Sequence, residues 1–89
     1  MSSDVAGKTV IVTGASSGIG RAAAALLSRE KARLALVARR GDQLEADFPD
    51  ALCLALDLTH RDNVGTMVRR THERFGRIDV LINNAGFGF

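Results

Sequence analysis

The sequence predicts one α/β domain built on an open, parallel sheet with helices on both faces. Three observations carry that expectation. Short β-branched and aliphatic runs recur along the chain, each long enough for a strand and too short to span a bilayer. Between them lie segments whose apolar residues repeat at helical spacing. The alternation fills residues 1–89 without a linker or low-complexity stretch, and a chain of that length builds one core and no second domain.

Thr9 to Thr13 (Thr-Val-Ile-Val-Thr) reads as the first strand, of the uninterrupted kind that suits a sheet covered on both faces. Gly14 ends it. From Gly18 to Glu30 the pattern is helical, with Ile19, Ala22, Ala23, Leu26 and Leu27 expected on the inward stripe. The small side chains from Ala22 to Ala25 permit a close approach to a sheet. Leu34 to Val37 is the second strand, and Asp42 to Phe48 is a short helix stopped by Pro49. Leu52 to Leu56 is the third strand. Within it, Cys53 reads as a buried small hydrophobe rather than a reactive thiol, because no base or second Cys accompanies it. Thr59 or Asp62 is the expected cap of a third helix that runs to Phe75. Its inward stripe is Val64, Met67, Val68, Thr71 and Phe75, and Gly76 ends it. Val80 to Ile82 is the fourth strand, followed directly by Asn83-Asn84-Ala85-Gly86 and a tail, Phe87 to Phe89, too short to form an element.

Right-handed crossovers leave one plausible arrangement of these units. The first two helices fall on one face, and the third crosses to the other and delivers the fourth strand beside the first. The order becomes 3-2-1-4, the first half of a doubly wound, nucleotide-binding fold. Strands one and four then flank the switch point, and the glycine loop after strand one meets Asn83 to Gly86 at that edge. The fourth strand is an open edge carrying Val80, Leu81 and Ile82, so the chain alone is expected to be marginally stable and to self-associate or to need a missing half.

Composition excludes several alternatives. Apolar residues make up 46% and charged residues 25%, which argues against a disordered, collagen-like or disulfide-stapled chain. The net charge is +2 with a pI near 9.3, but acids and bases are interspersed, so nucleic acid is not an expected partner. Arg69, Arg70, Arg74 and Arg77, grouped with Glu73, read as a solvated helix face. A single cysteine excludes an intrachain disulfide and fits a reducing compartment. Met1 to Lys8 contains no apolar signal core. A soluble, cytoplasmic protein without a membrane partner is expected. His60 and His72 have no partners within reach of a motif and read as surface or loop histidines, and no metal site is expected.

The segment with the most chemistry is Thr13-Gly-Ala-Ser-Ser-Gly-Ile-Gly20, between a strand and a helix. Gly14, Gly18 and Gly20 let the backbone turn tightly and present N–H groups, while the helix directs its positive end at the same place. That combination suits a pyrophosphate cradled by Gly14, Ser16, Ser17, Gly18, Ile19 and Gly20. No Gly-Lys-Ser/Thr closes the motif, which excludes a P-loop, and the spacing is Gly-x-x-x-Gly-x-Gly rather than Gly-x-Gly-x-x-Gly.

With that spacing, Thr13-Gly14-(x)3-Gly18-Ile19-Gly20 resembles the cofactor motif of the short-chain dehydrogenases/reductases. Asn83-Asn84-Ala85-Gly86 is similar to that family's second signature, Arg77 to Ile82 to its usual lead-in, and Asp57-Leu58 to its acidic adenine contact after strand three. The resemblance implies a Rossmann-like fold, a nicotinamide cofactor and interconversion of an alcohol and a carbonyl. It implies that the Asp57 side chain meets the adenine amino group, with the Leu58 backbone beside it. A local alternative for Asp57 is a carboxylate satisfying backbone donors before a helix. Asn84, Ala85 and Gly86 would pass the adenine-ribose side of the cofactor, with Asn83 bracing neighbouring strands.

The end of strand two distinguishes the nicotinamides. Folds that bind NAD(H) place an acid there to accept from the ribose 2′-OH, whereas this chain has Ala38, Arg39 and Arg40. A guanidinium grips a phosphate with paired hydrogen bonds that a carboxylate would repel. In similar sequences Arg39 takes the 2′-phosphate with a hydroxyl from Ser16, so NADP(H) is the expected cofactor over NAD(H), and the missing acid also argues against S-adenosylmethionine.

Family enzymes move the substrate proton with a Tyr tuned by a Lys four residues later, helped by a Ser and an Asn. All four follow the Asn-Asn-Ala-Gly signature. The sequence contains no Tyr, and its lysines are Lys8 and Lys31. No catalytic residue is therefore assigned, and the 89 residues alone are expected not to turn over substrate. The chain reads as the cofactor-binding half of a homo-oligomeric oxidoreductase acting on a small alcohol or carbonyl compound. The alternatives are a non-catalytic nucleotide-binding or regulatory module and an interaction protein reusing the fold.

Overall fold

β1 (Thr9–Thr13) is the central strand, and all five of its residues are buried. The computed structural model describes residues 4–16 and 18–84; the expectations for Ser17, Ala85, Gly86 and the tail to Phe89 lie outside the described residues. Around β1 the chain forms α1 (Gly18–Arg29), β2 (Arg33–Ala38), α2 (Asp42–Asp47), β3 (Leu52–Ala55), α3 (Arg61–Phe75) and β4 (Val80–Ile82). The sheet order is β3-β2-β1-β4, with every pairing parallel. Thr9 pairs with Arg33, Val10 with Val80, and Ala35 with Leu52. The doubly wound order expected from crossover handedness is the one observed.

The two-residue period of the strands splits the core into two layers. Val10, Val12, Leu34, Leu36 and Ala38 point to the face covered by α1 and α2, where they pack with Ala24 and Leu44. Ile11, Ala35, Val37 and Leu54 point the other way, onto Met67 of α3. β2 is one residue longer at each end than its apolar run, and β3 stops at Ala55 rather than Leu56. Pro49 ends α2 as expected, with Phe48 in the cap position. At the far end of α3, Gly76 takes the left-handed conformation (φ 80°) and donates to His72 O at 2.8 Å.

Helix orientation departs from the sequence reading. α1 buries Gly20 and Ala24, with Ala23 and Leu27 half-buried, while Ile19 (78% exposed), Ala22 and Leu26 (54%) face outward. The smallest side chains define the contact face because the helix lies so close to the sheet that larger ones do not fit. On α3, Met67 and Thr71 are buried and Phe75 is half-buried, but Val64 and Val68 are exposed. α3 sits over β2 and β3 rather than over β4, so Val64 borders a cleft with Leu81 instead of a packed layer. Val80 and Leu81 are exposed, as the open-edge reading requires. The expected caps of α3 are corrected as well. His60 occupies the N-cap with no side-chain cap hydrogen bond, because the Thr59 hydroxyl is donated to Asp57 Oδ1 instead (2.7 Å).

Arg77 lies beyond Gly76 and does not belong to the helical arginine face. Its Nε and Nη2 donate to Asp79 Oδ1 at 3.0 and 2.6 Å. Asp79 Oδ2 accepts the Thr9 N–H (2.8 Å), and the Asp79 N–H donates to Thr9 O (2.9 Å). β4 is thereby clamped to the start of β1. The Arg77 hydrogen bond, followed by that of the Thr9 N–H, holds the Asp79 carboxyl below the usual carboxylate range. A lowered carboxylate stabilises the fold above its ordinary pKa and loses that contribution as pH falls through the folded value. Asp79→Asn is therefore expected to lower the urea midpoint at neutral pH, with the gap to wild type closing as pH drops below about 4. A gap that persists unchanged into acid would show that the charge on Asp79 is not what holds β4.

Candidate functional site

The carboxyl ends of the parallel strands share one edge, and the residues of interest collect there. β1 runs into Gly14 (φ 62°), and Gly18 (φ 55°) opens α1; both values lie in the region that side chains disfavour. The Ala15 N–H donates to Val37 O (3.1 Å), which ties the loop to the end of β2. Ser16 and Ile19 are exposed on the loop and the first turn. Gly20 is the tight point. A Cβ there would sit 2.2 Å from Gly14 O and 2.7 Å from Asn84 Nδ2. The first turn of α1 carries no acidic side chain, so its free N–H groups and positive dipole end are not neutralised from within the helix.

Thr13 joins this loop to the segment after β4. Its buried hydroxyl donates to Asn83 Oδ1 (2.9 Å), with Ile82 O at 3.5 Å, and accepts the Asn84 N–H (2.8 Å). A hydroxyl offers one proton and two lone pairs, and here both functions are used. Asn83 thus braces β4 against β1, while Asn84 rests on Gly20. Thr13 is a site residue that the sequence reading passed over as a motif boundary. The available signal was a hydroxyl at the end of a fully buried strand, which requires a partner.

A cleft beside the glycine loop is lined by Gly14, Ala38, Arg39, Asp57 and Leu58, among others. Arg39 and Arg40 are both exposed, and Arg39 Nε stands 4.0 Å from Asp57 Oδ1. The same Oδ1 accepts the Thr59 N–H (3.0 Å) and hydroxyl (2.7 Å). The local reading of Asp57, a carboxylate that satisfies a backbone donor before a helix, is therefore realised, and it leaves Oδ2 outside these bonds. Thr59's hydroxyl and N–H, then the Arg39 and His60 charges, hold the Asp57 carboxyl below its ordinary value. His60 was expected to lack a partner, yet its Nε2 lies 3.9 Å from Asp57 Oδ2. The turn between β3 and α3 brings the two together. Leu58 is half-buried and packs against the layer under α3. On β3, Cys53 is half-buried, and burial first and Glu45 second push its thiol up. That is the wrong direction for a nucleophile.

These donors fit a dinucleotide: a backbone cradle at a helix N-terminus, a neighbouring cleft, and a cation where the second strand ends. Among the described residues, no group of three or more His, Cys, Asp or Glu is placed to hold a metal ion. No helix among them is long and apolar enough to cross a membrane.

The fold and this edge define a Rossmann-like unit, a parallel sheet of order β3-β2-β1-β4 with a glycine loop at its carboxyl edge. The sequence profile described as short chain dehydrogenase matches residues 8–88, and the chain belongs to that family. An uncharacterized oxidoreductase of Staphylococcus saprophyticus is 44% identical over 93% of this chain and 36% of its own length. The 11-beta-hydroxysteroid dehydrogenase A of Sesamum indicum is 41% identical over 96% of this chain and 27% of its own. The crystal structure of L-sorbose reductase from Gluconobacter frateurii, complexed with NADPH and L-sorbose, superposes with a TM-score of 0.83 at 34% identity. It covers 100% of this chain and 37% of its own. The chain thus spans about a third of the length of the relatives it matches.

The contact at Gly20 yields a test. Gly20→Ala should cost about 1–3 kcal/mol of stability through overpacking against the Gly14 backbone. It should also weaken adenine-nucleotide binding at least about tenfold, equivalent to about 1.4 kcal/mol, with Gly20→Val more severe. Chemical denaturation and calorimetric titration check both. A folded Gly20→Val variant that binds normally would reduce the loop to a simple turn.

Proposed function

We propose that the chain binds NADP(H) as the cofactor-binding part of an oxidoreductase that interconverts an alcohol and a carbonyl compound. The observation that carries this reading is Arg39. It stands at the lip of the cleft, on the position where an acid would accept the ribose 2′-OH of NAD(H), and its side chain is 75% exposed. A guanidinium with free donors suits a 2′-phosphate, and Arg40 and the exposed Ser16 supply further charge and a hydroxyl nearby. Family membership and a solved neighbour complexed with NADPH support the reading.

In this proposal Gly14, Ser16, Ser17, Gly18, Ile19 and Gly20 hold the pyrophosphate through backbone N–H groups at the start of α1. Asp57 offers the adenine amino group the oxygen not engaged by Thr59, and the Leu58 backbone lies alongside. Asn84, Ala85 and Gly86 flank the adenine-ribose side, with Asn84 positioned by Thr13. When bound, the nicotinamide would accept a hydride from the carbon bearing the substrate oxygen in the oxidised form, or donate one to it in the reduced form. The residues described here orient the cofactor; none of them is assigned to proton transfer.

Binding should favour NADP(H) over NAD(H) by at least about tenfold, or about 1.4 kcal/mol. Arg39→Asp should reverse that order, because a carboxylate repels the phosphate and accepts from a free hydroxyl. Fluorescence or calorimetric titration with both cofactors is the measurement. Equal affinities in the wild-type chain, or tighter NAD(H), would end the NADP(H) reading.

A further inference from the structure

At the edge of the cleft lies a three-charge arrangement, of which the proposed cofactor contacts use Arg39 and Asp57 but not His60. Asp57 lies between two basic side chains from different elements. Arg39 approaches Oδ1 from the end of β2 at 4.0 Å, and His60 approaches Oδ2 from the N-cap of α3 at 3.9 Å. The carboxylate cannot swing freely toward either one, because Thr59 fixes Oδ1 with both its N–H and its hydroxyl. Both basic side chains remain about three-quarters exposed, at 75% and 73%, so each is open to solvent beside Asp57.

We infer that His60 is a specificity-tuning residue, which adjusts discrimination for a 2′-phosphorylated nucleotide by sharing the Asp57 carboxylate with Arg39. This rests on the NADP(H) reading above. With a neutral imidazole, the Asp57 charge is set against Arg39 alone, and the Arg39–Asp57 pair is close to neutral where the 2′-phosphate would bind. With a protonated imidazole, the group of three carries a net positive charge. That added charge favours the phosphate and does not favour a nucleotide with a free 2′-hydroxyl. Discrimination should therefore be higher where the imidazole carries a proton than where it does not. At the distances of this cleft and in largely aqueous surroundings, one added charge corresponds to a change of about two- to fivefold in affinity.

The test uses two probes of the adenine end, adenosine 2′,5′-bisphosphate and adenosine 5′-monophosphate, titrated calorimetrically at about pH 5.5 and about pH 8. The 2′-phosphate takes up a proton of its own in this range, so the informative quantity is the change in bisphosphate preference relative to His60→Gln. The wild-type chain should gain about two- to fivefold in that ratio on acidification. His60→Arg, which keeps its charge at both pH values, should hold the higher preference throughout. In the reciprocal measurement, the bisphosphate should raise the pH at which the His60 ring titrates by NMR, and the monophosphate should not. Identical pH profiles for wild type and His60→Gln, with the bisphosphate still preferred, would overturn the role of His60 and leave the cofactor reading standing. No preference for the bisphosphate at either pH would overturn both.

Discussion

The first turn of α1 is seated so close to the end of β1 that no side chain fits between them. A Cβ at Gly20 would reach within 2.2 Å of Gly14 O, a distance at which backbone must move. Much of the carboxyl edge of the sheet depends on this contact. It sets how near the helix N-terminus comes to the strand ends, and hence where its unpaired N–H groups point. It turns Gly20 and Ala24 inward and leaves Ile19 and Leu26 in solvent. It also makes the surface on which Asn84 rests, so the glycine loop and the segment after β4 are positioned as one unit.

β4 shows how a very short strand is held in register. Three residues pair with β1 alone, and their side chains are largely exposed, so neither ladder nor packing contributes much. Side-chain hydrogen bonds secure both ends. At the start, Asp79 receives the Thr9 N–H and is itself gripped by Arg77. At the finish, Thr13 engages Asn83 and Asn84. One end serves the sheet and the other the carboxyl edge beside the glycine loop, and the buried central strand links them. Charge is arranged with the same economy. Asp57 orders the turn before α3 through Thr59, and it faces Arg39, which borders the cleft, and His60.

Much of this was legible in the residues alone. The β-branched run of Thr9 to Thr13, the glycines behind it and the punctuation by Pro49 and Gly76 are local signals. Each acts through the backbone freedom of a few neighbouring residues. Strand order followed because right-handed connections admit few arrangements of such units. The glycine loop and Arg39 could be placed at one edge because parallel strands bring their carboxyl ends together, whereas the roles of Asp57 and Asn84 were implied by the resemblance to the short-chain dehydrogenases/reductases.

What the sequence by itself determined, then, is the set of elements, their order in the sheet and the edge where chemistry-bearing residues meet. Tertiary structure decided which faces of the helices turn inward, and which polar groups find one another. An alanine-rich helix carries overlapping apolar stripes, and only the close approach at Gly20 chose Gly20 and Ala24 over Ile19 and Leu26. Thr13 reaches Asn83 and Asn84 across about seventy residues of chain, and Asp79 reaches Thr9 across a similar span. His60 and Arg39 meet at Asp57 only because α3 begins beside the end of β2. Such contacts leave no periodic trace, since hydrogen bonds and ion pairs depend on distances of a few tenths of an ångström that are set when the layers pack.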